Sequence, residues 1–454
     1  MADVMDRNNL TEGVIWKKLL MFFFPIWGGM LFQQLYNTVD ALIVGKFVGA
    51  SALAAVGGSP AVLINLVIGF FTGLSSGASV IIAQEYGAGN GEGLSRTLHT
   101  AATFFAAVGL CITVLGFILA PAALKMVSTP EDIIEDSTLY MRIYFTGAIP
   151  MLVYNLFSGT LQAIGQSGKP FRFLIASCVT NIVLDIVFVV VLGMGVAGVA
   201  WATVISMLLC FCLAGATLLK ADGPQKLVIS KMSIDRIALR RILRIGIPSG
   251  VQSAMYSISN VIIQSSVNSF GTTIVAAWTA TGKLDGLYWC TSNSFGVAIC
   301  SFVGQCYGAG KIDRMKKSVR TCLLIALGST VFLSFFLMTI ARPAYNILLD
   351  DQDVIDNAVK IMTYFVPYYF TWTFVEVLSG SLRGTGDTFI PMVITLVGTC
   401  AVRIVWMLTV VPVYHTIAAV SIIYVISWII TGAAFSVYYL RGRWNHKAAS
   451  ADRA

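Results

Sequence analysis

Charge is what this sequence has least of. Only 11% of its 454 residues are Asp, Glu, Lys or Arg, against about a quarter in a soluble globular chain. An ordinary water-soluble domain is therefore excluded for almost the whole length. Histidine is nearly absent too: His99, His415 and His446 are too scattered to build a metal centre. The nine cysteines are an odd set, fall mostly inside apolar stretches and show no paired CxxC spacing. They read as small core side chains, not as disulfides or metal ligands. Without a convergent His, Ser or metal constellation, neither an enzyme activity nor a cofactor is expected. The first apolar run is full length and lacks a small-residue cleavage site, so no cleavable signal peptide is expected.

What is present is apolar: 57% of residues are hydrophobic and the mean hydropathy is +0.81. A bilayer crossing needs roughly 20 residues, and about twelve such runs can be placed. They lie near 18–43, 52–82, 97–120, 138–162, 171–193 and 197–219, then 242–268, 274–304, 319–341, 357–382, 390–411 and 417–440. The expected fold is an all-α integral membrane protein.

Orientation follows from the positive charge. Lys17 and Lys18 precede the first span, Lys169 and Arg172 flank the turn after the fourth, and Lys226, Lys231, Arg236, Arg240, Arg241 and Arg244 crowd the central linker. Lys311, Arg314, Lys316, Lys317 and Arg320 follow the eighth span, and Arg441, Arg443 and Lys447 form the tail. All fall on one side if both termini are cytoplasmic. The opposite loops are acidic, EDIIED at 131–136 and DDQD at 350–353. The net charge of +8 thus reflects topology and attraction to an anionic leaflet, not a nucleic-acid partner. Membrane lipid is the expected surrounding partner.

The chain contains one pattern twice. AQEYGAGN at 83–90 returns as GQCYGAGK at 304–311, and SGTLQAIGQSGKP at 158–170 as SGSLRGTGDTFIP at 379–391. Pro25 near the start of the first span has its counterpart in Pro248 of the seventh. Matches at an offset of about 221 mark an internal duplication: a bundle over 1–219, a linker over 220–241, a second bundle over 242–440 and a tail over 441–454. An even number of spans per repeat leaves the bundles parallel, related by a pseudo-two-fold axis along the membrane normal. The glycine loop is not a phosphate cradle, because it joins two membrane spans and not a strand to a helix; its glycines suit a tight turn.

The differences between the repeats point to a site. The counterpart of Asp40 in the second repeat, at position 262 or 263, is isoleucine, and those of Asn181 and Asp185 are Val402 and Trp406. An acid at membrane depth costs about 2.5–3.5 kcal/mol or more unless it is paired, protonated or hydrated. Gln33, Tyr36, Asn37 and Asp40 stand at i, i+3, i+4 and i+7, on one helical face. Asn181 and Asp185 are one turn apart, and Thr203 brings a hydroxyl to similar depth. These are hard oxygen ligands, suited to H⁺ or Na⁺ and poorly suited to a soft transition metal. The competing reading is that the two acids are neutral, hydrogen-bonded glue between helices. Two carboxylates in one low-dielectric pocket cannot both ionise cheaply, so a proton or Na⁺ entering from the acidic side neutralises the pair and changes which packing is favoured.

The duplicated loops and turns, the proline-started first span with Asp40, and the N-x-x-x-D of Asn181 and Asp185 resemble the multidrug and toxic compound extrusion (MATE) family over about residues 15–440, most similarly its bacterial DinF-like and MepA-like branches. The resemblance implies two six-helix bundles around a V-shaped cleft. It implies alternating-access export of small lipophilic organic cations or drugs in exchange for H⁺ or Na⁺, and a cation site at Asp40, Asn181, Asp185 and Thr203, with Tyr36 and Asn37 beside it. The acids that some members carry in the seventh and early tenth spans have no match here, which argues against a second cation site of that kind. A bacterial inner membrane location and a monomer are expected.

For the substrate cavity the candidates are Gln33, Asn155, Gln252, Tyr256, Asn260 and Glu376, with Tyr154 and Trp372 beside them; aromatic rings around a carboxylate suit a flat cation. Lys283 and Asp285 are taken as buried charges of the eighth span with separate partners, and Arg403 has no evident role. The alternatives are a flippase of a lipid-linked precursor, which would need more basic residues in its cleft, or an exporter of an endogenous metabolite.

Overall fold

The computed structural model describes residues 9–349 and 351–442. Arg443, His446 and Lys447 of the tail and Asp350 of the DDQD turn lie outside the described residues. Those described are helical without a strand. In chain order the rods are α1 (Ile15–Val48), α2 (Ala50–Gly87, interrupted at Gly58), α3 (Gly91–Met126), α4 (Ile134–Thr146 and Ala148–Ala163), α5 (Gly168–Val191), α6 (Gly195–Leu219), α7 (Arg236–Asn268), α8 (Thr272–Gly308), α9 (Ile312–Leu348), α10 (Gln352–Phe365 and Tyr369–Gly384), α11 (Phe389–Tyr414) and α12 (Ile417–Leu440).

Eight of these, α1, α2, α3, α5, α6, α9, α11 and α12, are long and apolar enough to cross a membrane. The spans expected as continuous over 138–162 and 357–382 are each broken. Gly147 divides α4 into segments of 13 and 16 residues, and the turn containing Pro367 divides α10 into segments of 14 and 16. Glycine weakens a helix interior and proline removes a backbone donor. The seventh helix begins at Arg236, earlier than its apolar run, because the basic turn 236–241 is also helical.

The chain divides into two compact units. Among the described residues, unit 1 comprises 9–10, 21–250 and 308–310, and unit 2 comprises 11–20, 251–307, 311–349 and 351–442. In unit 1, α2 meets the first half of α7 backbone to backbone. A Cβ built on Gly73 would lie 2.6 Å from the Ser249 carbonyl, and one on Gly77 2.6 Å from that of Ile242. Gly246 and Gly250 present the complementary surface, facing Leu74 and Phe70. The Gly-x-x-x-Gly spacing on both helices permits this approach where lipid offers no hydrophobic drive. In unit 2 a Cβ on Gly380 or Gly384 of α10 would lie 2.6 Å from the Gly296 or Cys300 carbonyl of α8.

The repeat is also written in the backbone. Gly89 and Gly310 have φ of +70° and +69°, and Gly165 and Gly386 have +84° and +87°, so both pairs of turns need the left-handed conformation that glycine tolerates. The two loops then diverge. Asn90 caps α3 through the Gly93 N–H and donates to Glu85 Oε2 at 2.7 Å, while Glu85, nearly buried, takes Arg241 Nη1 on its other oxygen at 2.7 Å. Cys306 stands where Glu85 does in the repeat, and Lys311 in place of Asn90 donates to the Thr11 carbonyl at 3.2 Å.

Candidate functional site

The site is built by α1, α5 and α6 of unit 1, and register brings its residues level. Gly28 and Gly29 of α1 let Phe171 and Leu174 of α5 approach closely, and Cys178 Sγ reaches the Phe32 carbonyl at 3.8 Å. Both helices run the same way from those contacts, so Asp40 and Asp185 arrive at one height about two turns later. Between α5 and α6, Ser177 Oγ donates to the Ser206 carbonyl at 2.9 Å. These helices run oppositely, which sets Asn181, one turn onward, against Thr203, one turn back.

Asn181 and Asp185 are 1% and 0% exposed, which their type resists unless paired. Yet neither the amide of Asn181 nor either carboxyl oxygen of Asp185 has a hydrogen-bond partner, and Asp40 Oδ1 is likewise unpartnered. The carboxyls of Asp40 and Asp185 interact side by side without a hydrogen bond of normal geometry between them. Thr203 donates its hydroxyl to the Val199 carbonyl at 3.0 Å, leaving lone pairs on Oγ1. The contact between these two carboxyls joins α1 to α5 and leaves both oxygens of Asp185 without a donor of normal geometry. Asp40 Oδ1, Asn181 Oδ1 and both oxygens of Asp185 are four buried oxygens without donors, the atom type that a small hard cation takes as ligand.

The expected four-residue face of α1 divides. Tyr36 lies beside Asp40, and Gln33 reaches Tyr36, but Gln33 and Asn37 are exposed while Tyr36 and Asp40 are half-buried. Positions four apart cluster more closely than the full seven-residue stripe, so only its 36/40 edge turns inward. Asn155 of α4 is half-buried, and among the described residues no hydrogen bond joins it to this cluster. Tyr140 was not singled out by sequence. Its phenol, at the first segment of α4, neighbours Asp40, Asp185 and Tyr36. No spacing rule marks it, since its neighbour Tyr144 carries the same residue type one turn on.

The remaining candidates gather in unit 2. Gln252 Nε2 donates to Thr395 Oγ1 at 3.0 Å, joining α7 to α11. Tyr256 packs edge-on to Trp372 with ring centres 5.9 Å apart and neighbours Glu376, whose carboxylate lies against Gly296 of α8. Asn260 lies one turn beyond Tyr256 and lines a separate cavity with Asp285. Lys283, expected to be buried, is exposed: two positions from Asp285 on a helix it points elsewhere. Arg403 is buried, stacked on Tyr424 with its Cζ 4.3 Å from the ring centre, and donates through Nε to Ser427 Oγ at 3.0 Å. Among the described residues no group of His, Cys, Asp and Glu is arranged to hold a metal ion.

Comparison with known proteins agrees with this architecture. The family model MatE matches residues 25–187 and again 248–409, each repeat once. A probable multidrug resistance protein of Bacillus subtilis, YoeA, is 29% identical over 399 residues, 86% of each chain. A second from that organism, YpnP, is 26% identical over 447 residues, 97% of this chain and 98% of its own. Among solved structures, an outward-facing multidrug resistance MATE transporter of the MOP superfamily superposes with a TM-score of 0.87 over 98% of this chain and 99% of its own at 22% identity. A MATE protein in a bent conformation gives 0.88 over the same shares at 23%; at such identity these two establish the fold. With both repeats matched and the whole helical fold shared, the chain belongs to the MatE family of multidrug efflux transporters, multi-pass integral membrane proteins that are not enzymes.

Proposed function

We propose that this protein is a secondary active transporter of a bacterial cytoplasmic membrane, with both termini inside. It exports lipophilic organic cations in exchange for Na⁺ or H⁺ and couples the two movements at Asp40, Asn181, Asp185 and Thr203. The observation that carries the reading is the set of unpartnered buried atoms on Asn181 and Asp185. Leaving such groups unmade costs about 1–3 kcal/mol each, more when charged, and a bound Na⁺ or proton recovers that cost. Differential affinity for the ion between two conformations is what biases the equilibrium between them. Pro25 in α1, fifteen residues before Asp40, removes the donor to the Met21 carbonyl and gives the helix a place to bend.

The test uses purified protein in liposomes loaded with ethidium, with a Na⁺ gradient and a pH gradient imposed separately. Wild type is expected to move dye under one of them, and Asp40→Asn and Asp185→Asn to abolish uphill movement. Full uphill transport by both variants would end this mechanism.

A further inference from the structure

Unit 2 contains a cavity of about 220 Å³ between α7, α8, α10 and α12. Its walls include Trp278, Trp289, Phe365, Tyr424 and Trp428, and Asp285 stands in it. The rings meet at angles and do not lie flat on one another: Trp289 and Trp428 are 6.2 Å apart at 70°, and Tyr424 and Trp428 are 5.8 Å apart at 71°. Rings inclined to one another in this way surround the space from several sides. Trp428 is 1% exposed, and its indole N–H has no acceptor.

Asp285 is held by neutral donors. Trp289 Nε1 donates to Oδ2 at 2.7 Å, and the Tyr369 hydroxyl donates to Oδ1. Among the described residues no Lys, Arg or His forms an ion pair with it. The buried guanidinium of this region, Arg403, is engaged with Tyr424 and Ser427. A carboxylate among aromatic faces, fixed by neutral hydrogen bonds, is a counter-charge waiting for a cation.

The hydrogen bonds narrow the class of cation. Each oxygen of Asp285 already accepts one, so the carboxylate has about two of its four lone-pair sites left for a primary ammonium, which must satisfy three N–H donors when it leaves water. A fully alkylated ammonium has no donors to satisfy and is attracted by the ring faces and the charge. The volume suits a small head group and is below the roughly 300 Å³ at which pockets for drug-sized molecules begin.

We propose that this cavity is a binding site for small quaternary ammonium cations, held by the tryptophan and tyrosine faces and the charge of Asp285. This rests on the organic-cation reading above, and adds a place within one unit and a limit on size and alkylation.

The test is calorimetric titration of the purified full chain with tetramethylammonium chloride and, in parallel, methylammonium chloride. Wild type is expected to bind tetramethylammonium saturably and methylammonium about tenfold more weakly. Asp285→Asn is expected to weaken tetramethylammonium about tenfold, a loss of one decade in affinity. Asp356→Asn, which removes an exposed acid paired with Arg342, is expected to bind as wild type. If Asp285→Asn does not fold, Trp278→Leu gives the same answer, since Trp278 does not hold the carboxylate. Absence of saturable binding in wild type, equal binding of the two amines, or undiminished affinity in Asp285→Asn or Trp278→Leu would overturn the proposal. Ethidium transport by wild-type liposomes separates the two ideas. Transport without tetramethylammonium binding defeats the cavity alone, and loss of both defeats the transport reading as well.

Discussion

At the scale of residues, the protein leaves polar atoms unsatisfied where an apolar side chain of the same shape would be cheaper. Asn181 is the plainest case, fully buried with both amide atoms unpartnered. Replacing it by leucine removes that desolvation cost while keeping the branched outline of the side chain, so Asn181→Leu is expected to raise the thermal midpoint of the ion-free protein by the equivalent of about 1–2 kcal/mol. The same variant is expected to lose whatever further stabilisation Na⁺ or low pH gives the wild type. Melting curves with and without each ion check both parts. Asp40 and Asp185 drew attention in the sequence because membrane-depth acids are costly and the matching positions of the second repeat carry none. Tyr140 was not legible: its place beside Asp40 depends on how the first segment of α4 packs, and its own neighbours carry no pattern. Asp285 stood out by its cost, but its true partners, Trp289 and Tyr369, lie four residues away and on another helix.

At the scale of elements, glycine separates close packing from mere permissiveness. A methyl at Gly77 would meet backbone atoms of α7 at 2.6 Å, whereas one at Gly328 within α9 would meet nothing within 4 Å. Gly328→Ala is therefore expected to stabilise by about 0.4–1 kcal/mol through the unfolded chain and helix propensity. Gly77→Ala is expected to lower the thermal midpoint and the folded yield, because the partner at that point is backbone and cannot turn aside. Parallel expression and melting of the two variants decide between these signs. Composition marked the existence of most of the rods; it could not mark the breaks in α4 and α10. There a single Gly or Pro wins over an otherwise apolar run, and whether it kinks or divides a helix depends on neighbours that re-satisfy the freed backbone groups. The linker shows the same limit. Its polar sequence marked only an interruption between the repeats, whereas Val228 N–H donates to His99 Nε2 at 2.9 Å and Asp235 N–H to Thr100 Oγ1 at 3.2 Å, securing it to α3.

At the scale of the whole molecule, the sequence repeats and the compact units differ in membership. The chain changes unit within α1, after Leu20, and within α7, after Gly250. Residues 11–13 are secured in unit 2, where Lys311 and Arg314 donate to the carbonyls of Thr11, Glu12 and Gly13 at 2.7–3.2 Å. The start of α7 is secured in unit 1 by the Gly73 and Gly77 crossing and by Arg241 on Glu85. Each unit thus borrows the opening segment of the other repeat, a covalently joined form of segment exchange. Fragments 1–225 and 226–454 are accordingly expected to be unstable when made singly and to co-purify as a folded complex when made together. Size-exclusion profiles of each preparation check this, and a monodisperse, cooperatively melting 1–225 fragment made alone would refute it.

The exchange has a bearing on ancestry. On this arrangement a single-repeat forerunner would complete its compact unit by pairing with an identical copy that lent the opening turns of its first helix in return. In such a homodimer any acid gained by one copy was gained by both. Only once the genes were fused, with the loan made permanent within one polypeptide, could one repeat acquire Asp40, Asn181 and Asp185 while the other drifted to isoleucine, valine and tryptophan.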